Sequence, residues 1–334
     1  MKTDWVAEVF SAMRDCGENI SIVYGRKPAS SGTGEPVWFE LPHNRYDGIS
    51  GLDTLLRQQG CRVEQLPLLR GDRFTFLRAL RGLFAVLPAL QIRQRQWRQF
   101  DGNRKVSFLP VHERVAWELF TQEQTREIVL EAKAAGVTVN TYLLFHLDAV
   151  VASHLALSES GRRWMVPVNL RGAVKRAGEA APHMAFLGVD VDRNVSLTEL
   201  QARISRLKQR AYHWGAWIIL HAGKLIGAEG MRRDVRNREK KNHGWTGIFS
   251  NLGNWKVSGC GHWIFGPAIS RVHPVGAGCI TMNGRMALTV QLHDAFDVGL
   301  QTARALLQDW KHACLQESSR EESEIGSIAV QAVG

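Results

Sequence analysis

The stretch that decides the fold reads His-Asn-Arg-Tyr-Asp-Gly-Ile-Ser, from His43 to Ser50. It follows an alternating apolar and polar run over residues 37–41 and precedes a helical pattern of leucines over residues 52–56. A histidine at a strand end, followed by an aspartate and a glycine, is typical of a general base on a tight turn, because imidazole accepts protons near neutral pH. We expect Asp47 to orient the loop or the ring, and Gly48 to supply a backbone conformation that a side chain would resist.

The composition is that of an ordinary globular protein, because 45% of the 334 residues are hydrophobic and 22% are charged. No apolar run of about 18 residues occurs, and acids stand where a signal peptide needs basic and then apolar residues. The five cysteines are scattered and form no CxxC pair, which favours free thiols in a reducing compartment and argues against zinc. We therefore expect a cytoplasmic protein without a metal ion.

The chain is strongly basic, with a formal net charge of +10, and such a surface attracts polyanions. The densest basic run consists of Arg232, Arg233, Arg236, Arg238, Lys240 and Lys241. It is either a solvated helix face or a binding site for the phosphates of coenzyme A or of a carrier protein. No recognisable nucleic-acid-binding module is present, so nucleic acid is not an expected partner.

Local patterns predict alternating helices and strands. Thr121 with Gln124, and Ser196 with Glu199, form capping boxes, and Asn140 is predicted to cap a further helix. The predicted helices span residues 5–14, 51–59, 74–87, 122–136, 141–155, 197–213 and 299–313. The predicted strands span residues 20–24, 35–41, 165–169, 186–191, 245–251 and 287–292, of which 165–169 is expected to be buried.

One pattern occurs twice. A strand over residues 37–41 leads into His43-x-x-x-Asp47 and a helix, and a strand over 287–292 leads into His293-x-x-x-Asp297 and a helix. The repeat indicates two lobes built on one plan. Residues 1–105 would form the first lobe and the crossover, 106–315 the second lobe, and 316–334 a loose tail. His293 is the competing base, and we interpret it as structural.

The predicted helix over residues 74–87 carries an apolar stripe: Phe76, Leu77, Leu80, Leu83, Phe84 and Leu87. Arg78 and Arg81 flank the stripe, and Arg70 and Arg73 precede it. Such a stripe most often packs on its own core. Two alternatives are contact with an anionic membrane surface and a lid over a lipophilic acyl chain.

The HxxxDG pattern resembles the signature of the chloramphenicol acetyltransferase-like superfamily, which includes condensation domains, wax ester synthases, alcohol acetyltransferases and the BAHD acyltransferases. Three further segments resemble this family in its order: residues 134–141, Val-Pro-Val-Asn-Leu-Arg at 166–171, and Ile-Phe-Ser-Asn-Leu-Gly at 248–253. The first of the family's two adjacent histidines is replaced by Pro42, and the DFGWG motif of the BAHD branch is absent. The segment before His43 is short, which implies a reduced N-terminal lobe.

The resemblance implies an α/β fold with mixed sheets, in which two lobes surround a central channel. It implies transfer of an acyl group from a coenzyme A or carrier-protein thioester to a hydroxyl or amine acceptor, with His43 as general base and no cofactor besides that co-substrate. Ser250 and Asn251 are expected at the oxyanion, with Asn140 near the substrate, and Arg171 is the expected partner of Asp47. A catalytically inactive, carrier-protein-binding scaffold is the alternative function. Peripheral membrane contact and a homodimer that completes the reduced lobe stay open.

Overall fold

A computed structural model describes residues 4–28, 34–63, 72–90, 97–102, 104–106, 109–156, 161–174, 182–221, 223–240 and 244–315. The helices are α1 (Trp5–Asp15), α2 (Gly48–Gln58), α3 (Phe76–Val86), α4 (Gln122–Ala134), α5 (Val139–Leu155), α6 (Leu197–Gln209), α7 (Tyr212–Leu220), α8 (Gly223–Lys240) and α9 (Leu300–Leu315). The strands are β1 (Ser21–Lys27), β2 (Val37–Pro42), β3 (Val115–Leu119), β4 (Arg162–Asn169), β5 (Met184–Val191), β6 (Gly247–Trp255), β7 (His262–Gly266), β8 (Val275–Met282) and β9 (Arg285–Leu292). The tail over 316–334, Arg70 and Lys241 lie outside the described residues.

Two sheets organise the chain. The smaller sheet has the order β2-β1-β7 and is antiparallel. The larger sheet has the order β3-β9-β8-β6-β4-β5 and is mixed, because β6 runs parallel to both β4 and β8. The predicted α/β class with mixed sheets is therefore correct. The smaller sheet takes β7 from residues 262–266, so residues 1–105 do not build it alone.

Helix caps were predictable because their signals are local. The capping boxes at Thr121 and Ser196 are both present. The prediction for Asn140 is wrong, since the side chain of Thr138 caps α5 by accepting from the amide of Thr141 at 3.3 Å. The helix predicted to reach residue 213 ends at Gln209, because Ala211 adopts a left-handed conformation with φ of 57° and separates α6 from α7.

Helix α3 packs against α7 through its small residues. A Cβ atom on Gly82 would lie 2.1 Å from the carbonyl oxygen of Ala211, so only glycine permits this approach of the two helices. Ala79 and Val86 are also buried, whereas Phe76 and Leu77 are 75% and 77% exposed. The expectation that the apolar stripe packs on its own core is therefore wrong.

The expectation of free thiols holds for three of the five cysteines. Cys61, which follows α2, forms a disulfide with Cys260, which precedes β7, and their Cα atoms are 6.0 Å apart. Cys16, Cys279 and Cys314 are thiols outside any disulfide among the described residues. The pairing could not be read from sequence because 199 residues separate the two cysteines.

A second long-range contact joins the segment before β1 to the end of β9. The Nε2 atom of His293 lies 2.8 Å from a carboxylate oxygen of Glu18, and both side chains are buried. The Nδ1 atom of His293 accepts from the amide of Ala295 at 3.0 Å, so Nε2 carries the proton and donates to Glu18. Both ring nitrogens are thereby engaged in structural hydrogen bonds.

No single described helix is long and apolar enough to cross a bilayer. Helices α4 and α5 are long and apolar enough only when taken together, and the two helices are bent by 97° relative to each other.

Candidate active site

The turn that carries His43 is built by main-chain hydrogen bonds at the end of β2. The amide of His43 donates to the carbonyl of Ile20 at 3.1 Å. The next residues fold back, and the amides of Arg45 and Tyr46 donate to the carbonyl of Pro42 at 3.0 and 3.2 Å. The histidine therefore leaves a strand end at a fixed angle, as the sequence pattern predicts.

The imidazole of His43 is held on two sides. Its Nδ1 atom lies 2.8 Å from the carbonyl oxygen of Tyr46. Because a carbonyl only accepts, Nδ1 carries the proton and Nε2 keeps its lone pair in the neutral ring. The ring also stacks on Phe10 of α1, with centroids 3.8 Å apart. Burial lowers the pKa of His43 below its ordinary value of 6.5, and the hydrogen bond to Tyr46 opposes this only in part.

Asp47 is committed to the loop. One carboxylate oxygen caps α2 by accepting from the amides of Ile49 and Ser50 at 3.0 and 2.9 Å. The other accepts from the amide of His183 at 2.9 Å and lies 2.8 Å from the guanidinium of Arg171. The Arg171 side chain is buried and reaches the first oxygen as well, at 2.8 Å, so the ion pair is bidentate.

These partners explain the charge state of Asp47. Burial alone would raise its pKa, but the charge and hydrogen bond of Arg171 and the backbone amides hold the pKa below the usual value. All the hydrogen bonds described for the Asp47 carboxylate go to Arg171 and to backbone amides. Asp47 therefore orients the loop, and the carbonyl of Tyr46 orients the ring.

Gly48 is needed for space. It is the first residue of α2, and a Cβ atom there would lie 2.6 Å from the side chain of Leu252 and 3.1 Å from that of Phe265. Its φ is not positive. The predicted reason, a backbone conformation closed to other residues, is wrong; the glycine lets the His43 turn approach β6 and β7.

A cavity of about 150 Å³ lies beside His43 and is lined by residues of both sheets and of α1 and α7. Its wall is mainly apolar, with Val9, Phe10, Met13, Ile20, Ile22, Met165, Pro167, Val168, Met184, Phe186, Leu220, Ile248, Leu252, Phe265, Pro267, Ala268 and Ile269. Most of β4 after Met165 faces this cavity and is half-buried, which corrects the prediction of a buried strand over residues 165–169.

The predicted oxyanion residues divide into two groups. Ser250 and Asn251 both line the cavity, just before an irregularity in the pairing of β6 with β8 between Asn251 and Asn254. Asn140 is not among the lining residues; its side-chain oxygen accepts from the side-chain amide of Asn251 at 2.7 Å. The side-chain oxygen of Asn251 in turn accepts from the main-chain amide of Gly253 at 2.8 Å. Asn140 thus contacts Asn251 from outside the cavity, and Ser250 is a buried residue of the cavity wall.

The basic run lies on α8, which packs against α1 through Met231 and Val235. Arg232 pairs with Asp15 at 2.9 Å, and Arg238 pairs with Asp234 at 2.8 Å. Arg233 and Arg236 are exposed and form no ion pair within the described part of the chain. The side chain of Lys240 is outside the described atoms.

Several groups that line the cavity or hold its residues in place could not be predicted from the sequence. Phe10 and the carbonyl of Tyr46 hold the ring of His43, and the amide of His183 holds Asp47, but main-chain partners and long-range stacking leave no residue pattern. His273 also lines the cavity and is buried; burial lowers its pKa to about 3, and the charge of Arg238 acts in the same direction. Within the described residues, no group of three His, Cys, Asp or Glu side chains could hold a metal ion.

No protein-family model matches this chain, and neither does any curated protein. Solved structures do match. The chain is similar to the wax ester synthase/diacylglycerol acyltransferase from Marinobacter aquaeolei VT8, with 13% identity, a TM-score of 0.50, and coverage of 85% of this chain and 67% of that one. It is similar to TRI3 trichothecene 15-O-acetyltransferase from Fusarium sporotrichioides, with 12% identity, a TM-score of 0.51, and coverage of 88% and 70%.

A third similar structure is the EpoB cyclization-docking bidomain of a nonribosomal peptide synthetase from Sorangium cellulosum, with 9% identity, a TM-score of 0.50, and coverage of 84% of this chain and 61% of that one. The chain thus spans about two thirds of the length of these three structures. At such identities the similarity establishes the fold. The chain has the same mixed α/β fold as these wax ester synthase, acetyltransferase and cyclization-domain structures.

Proposed function

We propose that this protein is an acyltransferase that moves an acyl group from a coenzyme A or carrier-protein thioester to a hydroxyl or amine acceptor. The fold supports acyl transfer in general, because wax ester synthase and acetyltransferase structures share it. The finer proposal depends on one observation. The ring of His43, with its proton fixed on Nδ1 by the carbonyl of Tyr46, stands at the wall of an apolar cavity with a basic Nε2.

In the proposed reaction, Nε2 of His43 takes the proton of the acceptor as its oxygen or nitrogen attacks the thioester carbonyl. The tetrahedral oxyanion is stabilised by hydrogen-bond donors at the cavity wall. The candidates are the Ser250 hydroxyl and the side-chain amide of Asn251. The C–S bond then breaks, and His43 returns its proton to the leaving thiolate. The chemistry needs no covalent acyl-enzyme.

The apolar wall favours a lipophilic acyl chain or acceptor. A phosphate-bearing donor would find cations on α8, where Arg233 and Arg236 are exposed. Phosphate binding by the basic run and a cytoplasmic location both stay predictions.

The test follows free thiol release from a panel of acyl-coenzyme A and acyl-carrier-protein thioesters, each with alcohol and amine acceptors. We expect His43→Ala to lower kcat by about 10²–10⁴-fold on any substrate that the wild type uses, because a positioned base contributes that much. Circular dichroism should show an unchanged fold.

Two histidines serve as matched controls. His154→Ala removes a surface histidine that pairs with Asp309, and His293→Gln keeps a donor to Glu18 while removing the competing base. Both are expected to retain kcat. Full activity of His43→Ala would contradict the mechanism, and loss in His293→Gln with an intact fold would transfer the role to His293. A protein that binds carrier protein yet releases no thiol with any pair would be the inactive scaffold.

A further inference from the structure

The outer face of α3 carries large apolar side chains that the rest of the described protein does not cover. Phe76, Leu77 and Phe84 are 75%, 77% and 66% exposed, and Leu80 and Leu87 are exposed as well. At 3.6 residues per turn, these five positions fall within an arc of about 100°. They form one continuous stripe, which we call the α3 stripe.

The packing of α3 on α7 keeps the α3 stripe exposed. The helix is held to α7 by its small face, where Gly82 touches the backbone of Ala211 and Gly215. Rolling the stripe inward would replace glycine at that contact by a leucine or phenylalanine, for which there is no room. No residue of α3 lines the cavity, so the structure does not support the lid.

The exposed charges beside the α3 stripe that have no partner among the described residues are positive. Arg73 and Arg81 are exposed, and neither forms an ion pair among the described residues. Asp72, the acid next to them, accepts hydrogen bonds from His213 and Trp214 at 2.8 and 3.1 Å and pairs with Arg78. The surface therefore offers apolar side chains and uncompensated positive charge together.

We propose that the α3 stripe binds the surface of anionic lipid bilayers. The apolar side chains would enter the boundary between headgroups and acyl chains, while Arg73 and Arg81 contact anionic headgroups. A second copy of the chain is a poorer occupant, because a symmetric contact would bring these unpaired arginines against their own copies. The proposal is independent of the proposed acyl transfer.

The position of α3 relates the proposed membrane contact to the cavity beside His43. Ala79 of α3 shares a small core with Trp214, Ala185 and Val168, and Val168 lines the cavity beside His43. Helix α3 and the side chains of this small core therefore lie between the proposed membrane face and the cavity wall. A lipophilic substrate dissolved in the bilayer would reach this side of the protein without crossing water.

Co-sedimentation with vesicles of phosphatidylcholine, with and without phosphatidylglycerol, tests the proposal on the full chain. We expect wild-type protein to bind the anionic vesicles. Leu77→Ser with Phe84→Ser should lower this binding by about tenfold or more, because the apolar area that enters the bilayer is lost. Arg73→Gln with Arg81→Gln should also lower it by about tenfold, and only on anionic vesicles.

The chain offers a control for each variant. Val129→Ser with Leu130→Ser removes exposed apolar side chains from α4, which packs near β9 toward the opposite edge of the larger sheet from α7 and β5. Arg233→Gln with Arg236→Gln removes two exposed arginines from α8. Both controls should bind within about twofold of wild type.

Three outcomes would overturn the proposal. Wild-type protein that stays in the supernatant with anionic vesicles is the first. The second is equal loss of binding in a control, which would indicate a general charge effect for Arg233→Gln with Arg236→Gln and a general effect of exposed apolar area for Val129→Ser with Leu130→Ser. The third is a dimer in solution that Leu77→Ser with Phe84→Ser dissociates, without vesicle binding, which would assign the stripe to a second copy.

Discussion

His43 depends on three neighbours that act on its ring in different ways. The carbonyl of Tyr46 fixes the proton on Nδ1, Phe10 fixes the plane of the ring, and the apolar wall of the cavity lowers the affinity of the ring for a proton. Asp47 acts one step further away by holding the turn through Arg171. These contacts keep the His43 ring neutral at physiological pH, as the proposed general base requires.

The direction of the pKa shift predicts the pH dependence of the reaction. Only neutral His43 accepts a proton, and burial lowers its pKa below 6.5, so activity should be lost on the acidic side only below that value. The check is kcat/KM against pH, measured with an uncharged alcohol acceptor so that the acceptor does not titrate. An acidic midpoint above 6.5 would show that the ring is not buried as described.

At the scale of secondary structure, α3 and α7 meet where Gly82 leaves no room for a side chain. Helix propensity alone predicts that Gly82→Ala stabilises the protein by up to about 1 kcal/mol. The contact predicts the opposite sign, because a Cβ atom would press on the carbonyl of Ala211, and overpacking costs about 1–3 kcal/mol. We expect a lower free energy of unfolding in urea for Gly82→Ala.

Arg81→Ala is the control, since it changes an exposed neighbour on the same helix and should leave stability nearly unchanged. Stabilisation by Gly82→Ala would mean that α3 does not pack on α7 as described.

Elements whose signal is local could be predicted from sequence, and those defined by their surroundings could not. The capping boxes at Thr121 and Ser196 contain both partners within four residues. Strand β8 was missed, because it is almost wholly buried, so its Gly- and Ala-rich sequence shows no alternation. The apolar stripe of α3 was read correctly as a helix, but periodicity does not say which face is covered.

The residues of the candidate site also divide into those that local motifs predict and those that only tertiary contacts bring there. His43, Asp47 and Arg171 could be named from motifs, and the structure brings them to one turn. Phe10, the Tyr46 carbonyl and the His183 amide could not, since they are brought there by tertiary contacts.

Across the whole molecule, the Glu18–His293 hydrogen bond and the Asp47–Arg171 ion pair are among the contacts that join the segments around the smaller sheet to the larger sheet, and the Cys61–Cys260 disulfide links the segment after α2 to the start of β7. The disulfide joins the segment after α2 to the strand that completes the smaller sheet. This pair corrects the expectation of free thiols at Cys61 and Cys260, while the compartment expected from cysteine spacing stays a prediction.

The disulfide gives a quantitative expectation. Removing it in Cys61→Ser with Cys260→Ser should lower the free energy of unfolding by about 2–4 kcal/mol, because the unfolded chain regains the freedom of a long loop. Urea denaturation with and without dithiothreitol measures this, and the variant should no longer respond to the reductant. Cys16→Ser, which removes a free thiol, is the control.

A thiol titration is the decisive companion measurement. In denaturant without reductant, three of the five cysteines should react. Five reactive thiols would show that the pair is reduced.

The bond that fixes the imidazole comes from the main chain of Tyr46, and this has a consequence for mutagenesis. Every amino acid except proline brings the same carbonyl and amide groups to position 46, so the other substitutions there should leave the tautomer of His43 intact. The most direct support of the proposed base is thus hidden from an alanine scan, and changes that bend the peptide plane between residues 46 and 47, such as proline at position 46, would expose it.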